Sequence, residues 1–396
     1  MGTCTALELS RRGHRVTVID GAADVMQGAS RWNEGKIHLG FLYAGDPSFA
    51  TAQRMLSGGL AFSTLLSQLI DHSLDAFSTD DDVYLVHRQS VVDVAATAAY
   101  LDGVSKLVRA AAGQSGQSPY LTDVRRARVE TLSRSQLADI TCSDDIRAGF
   151  RVPERSISTL PIADLLTSAL RAAPHVELRT DTWVSGVRRD PAGRFDILTS
   201  AGDSAHLDRF DVVVNALWEG RPAVDASMGH RPPAPWSHRF RASLFAHAPT
   251  SMLRGGVICT GPFGDIKRYG DGRYYLSWYP AGLLAEGGEL EPPRADAMLT
   301  VPQRAEILQR AVSALTTFFP GVEELARSAS SPVVNGGWVY AVGTGALTDP
   351  ASTLHQRDKF GITVDAGYIS VDTAKYSLAP WLALQIAHHV TNLPRS

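Results

Sequence analysis

Cysteine is scarce in this chain of 396 residues. Only Cys4, Cys142 and Cys259 are present, and no two of them are closely spaced. Such spacing argues against a disulfide framework and against a cysteine-based zinc site. We therefore expect free thiols in a reducing cytoplasm and no bound metal.

Long apolar runs and concentrated charge are also missing. No stretch approaches the roughly 20 apolar residues of a membrane span, and the first residues lack the apolar core of a signal peptide. Lysine and arginine are scattered and the formal net charge is −3. Neither nucleic acid nor an anionic membrane is therefore expected as a partner. The composition is that of a globular enzyme, and the length predicts two domains.

The first clear pattern is a helix followed by a short strand. The residues after Gly2 have helical spacing, and the β-branched run Val16–Ile19 suits a buried parallel strand. This strand ends in Asp20, whose carboxylate can accept hydrogen bonds from the ribose hydroxyls of an adenosine. The offset from Gly2 to Asp20 fits the second half of a dinucleotide-binding fingerprint, with Gly2 as its last glycine.

The first half of this fingerprint does not occur in the sequence. The first strand and the first two glycines of the fingerprint would precede Met1, so we expect the chain to be truncated at a misplaced start. An ordinary α/β unit that ends in a solvated Asp20 is the alternative. These residues do not separate NAD from FAD.

Residues 28–40 follow the strand and are rich in small and polar side chains. They resemble the flavin-wrapping segment of the D-amino-acid oxidase superfamily, especially its L-2-hydroxyglutarate oxidase branch. The resemblance implies FAD held by backbone amides, which bind anions without bulky side chains. By position, Ser30 and Asn33 would contact the phosphates or ribityl chain. Residues implied to run past the isoalloxazine are Gly35, Ile37, His38 and Gly40.

Three later segments resemble the same family. Residues 182–187 resemble its strand facing the adenine, through Val184, and residues 210–218 resemble its late strand, which ends in Asn215 and Ala216. Residues 367–380 resemble the loop that brings a helix N-terminus toward the flavin pyrimidine ring. The implied cofactor contacts in this loop are Asp372, Thr373, Ala374 (glycine in close relatives) and Lys375.

The resemblance implies an α/β fold in two domains. The first is a Rossmann-like FAD-binding domain of the glutathione-reductase type, formed by residues 1–46, 150–228 and 341–396. The second is an α+β substrate domain with an antiparallel sheet, formed by residues 47–149 and 229–340.

A hairpin in the second domain supplies the candidate substrate ligands. Two strand-like runs flank the turn at 270–272. Alternation places Arg273, Tyr275, Ser277 and Tyr279 on one face. The resemblance implies that this sheet covers the flavin, so Arg273, Tyr275 and Tyr279 would bind a substrate carboxylate. Arg268 is a second candidate anchor, and a merely solvated face is the alternative.

His355 and Arg357 allow two interpretations. They are either active-site groups or side chains that hold a loop by hydrogen bonds.

The implied chemistry is hydride transfer to flavin N5 from a carbon that bears an amine or a hydroxyl. The substrate would be a small amino acid, an amine or a 2-hydroxy acid, and the electron acceptor would be oxygen or a quinone. The chain has no G-x-S-x-G, H-E-x-x-H or Walker motif. The competing hypothesis is that the chain is a catalytically inactive remnant that binds no FAD.

Overall fold

The computed structural model describes residues 1–114, 120–199, 209–233 and 235–393. Helices and strands are mixed along these ranges, as the α/β prediction requires. The helices are α1 (Gly2–Arg11), α2 (Ala50–Ile70), α3 (Val94–Gln114), α4 (Arg134–Ala138), α5 (Thr159–Ala172), α6 (Arg221–Ser227), α7 (Tyr279–Gly282), α8 (Val301–Thr316), α9 (Val322–Ser328) and α10 (Ala379–Thr391).

The strands are short in the first half of the chain and longer in the second. They are β1 (Val16–Ile19), β2 (Lys36–Ile37), β3 (Asp82–His87), β4 (Glu130–Thr131), β5 (Ile146–Val152), β6 (Arg155–Ser156), β7 (Val176–Arg179), β8 (Val184–Arg189), β9 (Phe195–Thr199), β10 (Val213–Asn215), β11 (Trp236–His247), β12 (Gly256–Cys259), β13 (Gly264–Arg268), β14 (Arg273–Trp278), β15 (Leu283–Gly287), β16 (Ser330–Val342), β17 (Gly361–Asp365) and β18 (Tyr368–Asp372).

One part of the molecule contains parallel strands and packed helices. β1 pairs with β7 and β10 pairs with β18, both in parallel, and β17 continues the second group antiparallel to β18. Helix α5 buries Ile162, Leu166 and Leu170, whose four-residue spacing forms one apolar stripe. Helices α1, α2, α5 and α10 pack together over this part.

The other part is a nine-stranded sheet built from two distant chain segments. Its order is β15-β11-β14-β13-β12-β3-β5-β4, with β16 paired along the other edge of β11. Strand β11 alternates strictly: Phe240, Ala242 and Leu244 enter the core shared with α8, while Arg239 and Arg241 lie on the opposite face.

The α/β class is confirmed, and most elements occur where the sequence predicts them. The strands at 16–19 and 82–87 have the predicted bounds, and the hairpin at 263–279 forms with its turn in place. The division into two domains stays a proposal. Helix α2 comes from a segment assigned to the substrate domain, yet it packs against α10 and α5.

None of the helices in the described part of the chain has both the length and the apolarity that a bilayer crossing requires.

Candidate active site

A large cavity lies between β1 and β10. Its volume is about 1560 Å³, and the edges of both strands line it together with the start of α1. Among the described strands, β1 pairs only with β7 and β10 only with β18, so each strand presents an unpaired edge to the cavity. Asp20 follows β1 at this cavity and accepts a hydrogen bond from the Ala22 amide at 2.9 Å. Burial raises the pKa of Asp20.

The N-terminus of α1 opens on the same cavity. Met1 provides no side-chain cap, so the first N–H groups of the helix remain available to an anion. A Cβ added to Gly2 would lie 3.7 Å from the Cβ of Ala216, an ordinary contact. The Asp20 carboxylate and the free N–H groups together suit the adenosine diphosphate part of a dinucleotide.

Three other predicted cofactor residues, Ser30, Val184 and Ala216, also line this cavity, whereas Asn215 does not. The Asn215 side-chain amide donates to Asp225 at 2.8 Å and to the Tyr368 hydroxyl at 3.0 Å. It therefore joins α6 to β10 and β18, and the sequence pattern alone did not reveal this structural role.

Segment 28–40 is held in shape by its own polar groups. Asn33 donates to the Ala29 carbonyl at 2.8 Å and accepts from the Gly35 amide at 2.7 Å. Gly35 has φ +60°, and an added Cβ would lie 1.9 Å from the Ile157 carbonyl oxygen. Both ends of the Asn33 amide are therefore used inside the loop, and Gly35 is required by contact with protein backbone.

Ile37, His38 and Gly40, at the end of the segment, line neither of the two cavities. Ile37 is a core residue, and its carbonyl accepts from the Tyr120 hydroxyl at 2.8 Å. Burial, followed by the charge of Lys375, lowers the pKa of His38 well below its usual value, so this imidazole is neutral. Gly40, at φ +108°, packs against α2.

A buried carboxylate pins the end of this segment. Glu154 accepts from the amides of Leu39 at 2.5 Å and Gly40 at 3.1 Å, and it also accepts from the Tyr84 hydroxyl. The side chain is fully buried. Because the two amides lie just after β2, Tyr84 lies on β3 and Glu154 itself follows β5, this carboxylate fixes the segment to the large sheet.

Next to Glu154, two buried lysines share one aspartate. Lys36 donates to Asp82, and Lys267 donates to the other oxygen of Asp82 at 2.5 Å. These pairs connect β2, β3 and β13. Glu154 lies 4.0 Å from the Lys36 ammonium, so the cluster holds two basic and two acidic side chains.

The loop after β18 turns sharply before α10. Ala374 has φ +51°, the left-handed region that favours glycine. Asp372 accepts from the Ala374 amide at 3.0 Å and pairs with Arg221 at 3.3 Å. Thr373 is buried, and Lys375 reaches a second cavity.

This second cavity, of about 300 Å³, forms where three parts of the chain meet. Segment 28–40 contributes Asn33 and Lys36, the loop after β18 contributes Lys375, and the large sheet contributes one face. On that face the Tyr275 hydroxyl bonds to Ser243 at 2.9 Å. Its other lining residues include Arg239, Arg241, Ser277, Tyr279, Asp265, His355 and Arg357.

The DAO family, described as FAD-dependent oxidoreductase, matches residues 1–351 of the chain. The chain belongs to this family. FAD is therefore the cofactor of this oxidoreductase. No protein of curated function matches it significantly in sequence. The placement near the L-2-hydroxyglutarate oxidase branch stays a prediction.

Solved structures share the fold of the oxidoreductase. Glycine oxidase from Geobacillus kaustophilus has a TM-score of 0.63 at 14% identity, covering 100% of this chain and 93% of that one. Iminodiacetate oxidase from Chelativorans sp. BNC1 has 0.64 at 16%, covering 100% and 94%. L-alpha-glycerophosphate oxidase from Mycoplasma pneumoniae, with FAD bound, has 0.61 at 13%, covering 99% and 92%. At these identities the likeness shows the fold alone.

The oxidoreductase brings two of its four predicted substrate ligands to the smaller cavity. Tyr275 and Tyr279 line it, whereas Arg268 and Arg273 do not. Arg273 pairs with Asp271 at 2.5 Å in the hairpin turn, and Arg268 is exposed on β13. Alternation identified the correct face of β14, but the turn end of that face lies beyond the cavity.

Basic residues from elsewhere in the oxidoreductase occupy the cavity instead. Arg239 donates to the Tyr279 hydroxyl at 3.3 Å, and Arg241 stacks over the Tyr279 ring at 4.0 Å. Sequence reasoning missed both, although the alternation in His-Arg-Phe-Arg at 238–241 is a usable signal.

His355 and Arg357 differ in their hydrogen bonding. The His355 ring bonds to the Asp349 carbonyl at 2.9 Å and so holds its loop. The Arg357 guanidinium has no hydrogen-bond partner in the described part of the chain. Burial and the nearby Arg239 lower the pKa of Arg357 to about 10.

Proposed function

We propose that this chain oxidises the CH–NH or CH–OH carbon of a small amino acid, amine or 2-hydroxy acid. The observation that carries the proposal is the 300 Å³ cavity, in which segment 28–40, the large sheet and the loop after β18 meet. Its size suits a small molecule. Its polar lining is basic and phenolic, which suits a carboxylate.

The residues that would hold FAD are spread over both cavities. Asp20 and the start of α1 would hold the adenosine and phosphates, with Ser30, Val184 and Ala216 beside them. Segment 28–40 and the loop at 372–375 would hold the flavin. When bound, FAD supplies a hydride acceptor at flavin N5 and an outlet for electrons to oxygen or a quinone.

The side chains of the smaller cavity would bind and orient the substrate. Arg239 and Arg241 would bind anionic groups of the substrate, and Tyr279, which contacts both guanidinium groups, would keep them in place. Such positioning lowers the barrier by removing the entropy cost of alignment. An amine that binds in its neutral form needs no dedicated base.

A visible spectrum of the purified protein tests the proposal. We expect flavin absorbance bands, FAD released on heat denaturation, and bleaching of the bands when a substrate is added without oxygen. Small amino acids, amines and 2-hydroxy acids are added separately, so the class that bleaches the flavin identifies the reaction. A colourless protein that FAD does not reconstitute would contradict the proposal and favour the inactive remnant.

A further inference from the structure

The smaller cavity holds more positive charge than one carboxylate can neutralise. Besides Lys36, which pairs with Asp82, four basic side chains line it: Arg239, Arg241, Arg357 and Lys375. In the described part of the chain, none of them lies within 4.0 Å of a carboxylate oxygen. Arg239 and Arg241 contact Tyr279, and the Lys375 ammonium lies 5.9 Å from the centre of the Tyr43 ring.

The acidic side chains of the same cavity do not balance this charge. Only Glu34 and Asp265 line it. Asp265 accepts a hydrogen bond from Ser277 at 2.5 Å, and burial raises the pKa of its carboxyl. Lys36 also lines the cavity, but its ammonium is paired with Asp82. The unpaired basic groups therefore exceed the acidic groups by at least two.

The basic groups form two subsets. The positive charges of Arg357 and Lys375, which lie in loops, repel each other and the charge of Arg239. Arg241 instead stacks on Tyr279, and its charge favours the ionised form of the Tyr275 hydroxyl. Arg239 is buried, and Arg241, Arg357 and Lys375 are half-buried. Positive charges that are partly removed from water without a carboxylate partner are unfavourable, so each subset favours an anion. Oxidised flavin is neutral at its isoalloxazine, which means that both negative charges must come from the substrate when it binds.

We propose that the substrate is a small dianion, with one anionic group held by Arg239, Arg357 and Lys375 and the other by Arg241. The inference rests on the proposed function, because it describes the substrate of that same site. The cavity of about 300 Å³ restricts the molecule to a few carbons, because the flavin would fill part of that volume. The second anionic group is a carboxylate or a phosphate, since guanidinium groups bind both in the same geometry.

Binding of non-oxidisable probes to the FAD-bound protein tests this inference. Succinate, its monoamide succinamate and 2-phosphoglycolate are titrated by calorimetry and by the change in flavin absorbance. We expect succinate or 2-phosphoglycolate to bind at least about tenfold more tightly than succinamate, because the monoamide leaves one basic subset unpaired. The preferred probe distinguishes a carboxylate from a phosphate.

Two variants and a control assign the preference to these side chains. In Arg241→Gln and in Arg357→Gln, the preference for the dianion is expected to fall below about threefold. Arg147→Gln replaces an exposed arginine of β5, in the same sheet, and is expected to keep the full preference. Thermal melting and flavin content confirm that each variant is folded.

The outcomes separate this inference from the proposed function. Equal binding of succinate and succinamate to a flavin-bearing protein overturns the dianion inference and leaves the oxidoreductase proposal intact. A preference that persists in both variants overturns the assigned residues. A protein that neither contains nor accepts FAD refutes the proposed function, and the inference with it.

Discussion

At the scale of single residues, Lys375 has the most unusual surroundings. Burial, followed by the nearby Arg357, lowers the pKa of its ammonium to about 8. The groups that face it come from every element around it. These are Arg357 after the turn at 353–355, Arg239 on β11, Glu34 and Lys36 on segment 28–40, and the rings of His38 and Tyr43.

The charge of Lys375 gives a prediction for pH dependence. The ammonium is positive below about pH 8 and neutral above it, so affinity for an anionic probe such as succinate should fall as pH rises past this value. The fall should approach tenfold per pH unit, because one positive charge is lost. Lys375→Arg should retain affinity to higher pH, since guanidinium stays protonated. Titration calorimetry at several pH values measures both.

The outcome that would contradict this prediction is also clear. If the unmodified protein and Lys375→Arg lose affinity over the same pH range, then another group titrates. Lys375→Met serves as the uncharged reference, and its affinity should be low and nearly independent of pH in this range.

At the scale of elements, β2 is held by charges from the large sheet rather than by a long ladder. Among the described strands, β2 pairs only with the two-residue strand β6. Glu154 accepts hydrogen bonds from the two amides at 39 and 40, just after β2, and Asp82 pairs with Lys36 of β2. A short strand with few ladder bonds depends on such side-chain contacts for its position. The position of segment 28–40 beside the cavity therefore depends on the carboxylates of Glu154 and Asp82.

Removing the Glu154 carboxylate should destabilise the protein and weaken FAD retention. Glu154→Ala leaves two buried amides and the Tyr84 hydroxyl without an acceptor, so we expect the free energy of unfolding to fall by about 3–5 kcal/mol. Glu154→Gln keeps an acceptor oxygen and should lose roughly half as much. Urea denaturation and flavin content after gel filtration measure the two effects.

A glutamate at the surface of the same sheet is the matched control. Glu130 lies exposed on β4, and Glu130→Ala should change the free energy of unfolding by less than about 0.5 kcal/mol. A similar loss in Glu130→Ala and Glu154→Ala would show that the buried carboxylate does not hold the segment.

At the scale of the whole molecule, the two cavities would together hold one long cofactor. Asp20 and α1 belong to the larger cavity, and the basic residues belong to the smaller one. FAD at a hundred times its dissociation constant should stabilise the fold by about 2.7 kcal/mol, which is several degrees in melting temperature. FMN lacks the adenosine part and should stabilise it less.

Asp20→Ala tests this division. It should reduce the stabilisation by FAD and leave that by FMN unchanged, because only the adenosine part meets Asp20. Asp144→Ala removes an exposed carboxylate before β5 and serves as the control. Equal stabilisation by FAD and FMN in the unmodified protein would contradict the assignment of the larger cavity. Thermal melting with each flavin is the measurement.

The sequence predicts local features of this molecule well and distant pairings poorly. Asp20 and the face of β14 follow from spacing and alternation, which depend only on neighbouring residues. The pairing of Asp82 with Lys267 joins residues 185 positions apart, and no local pattern marks either side chain as buried. Arg273 illustrates the same limit, because its face was predicted and its distance from the cavity was not.

Helices α1 and α10 pack together, and His14 meets Thr391 at 3.4 Å across 377 positions of the chain. His14 lies just beyond the end of α1, so this contact can form only after α10 has been synthesised. Contacts of such long range make folding slow, and they close late. We therefore expect the part of the fold beside the larger cavity to be completed late, and FAD to bind only after that.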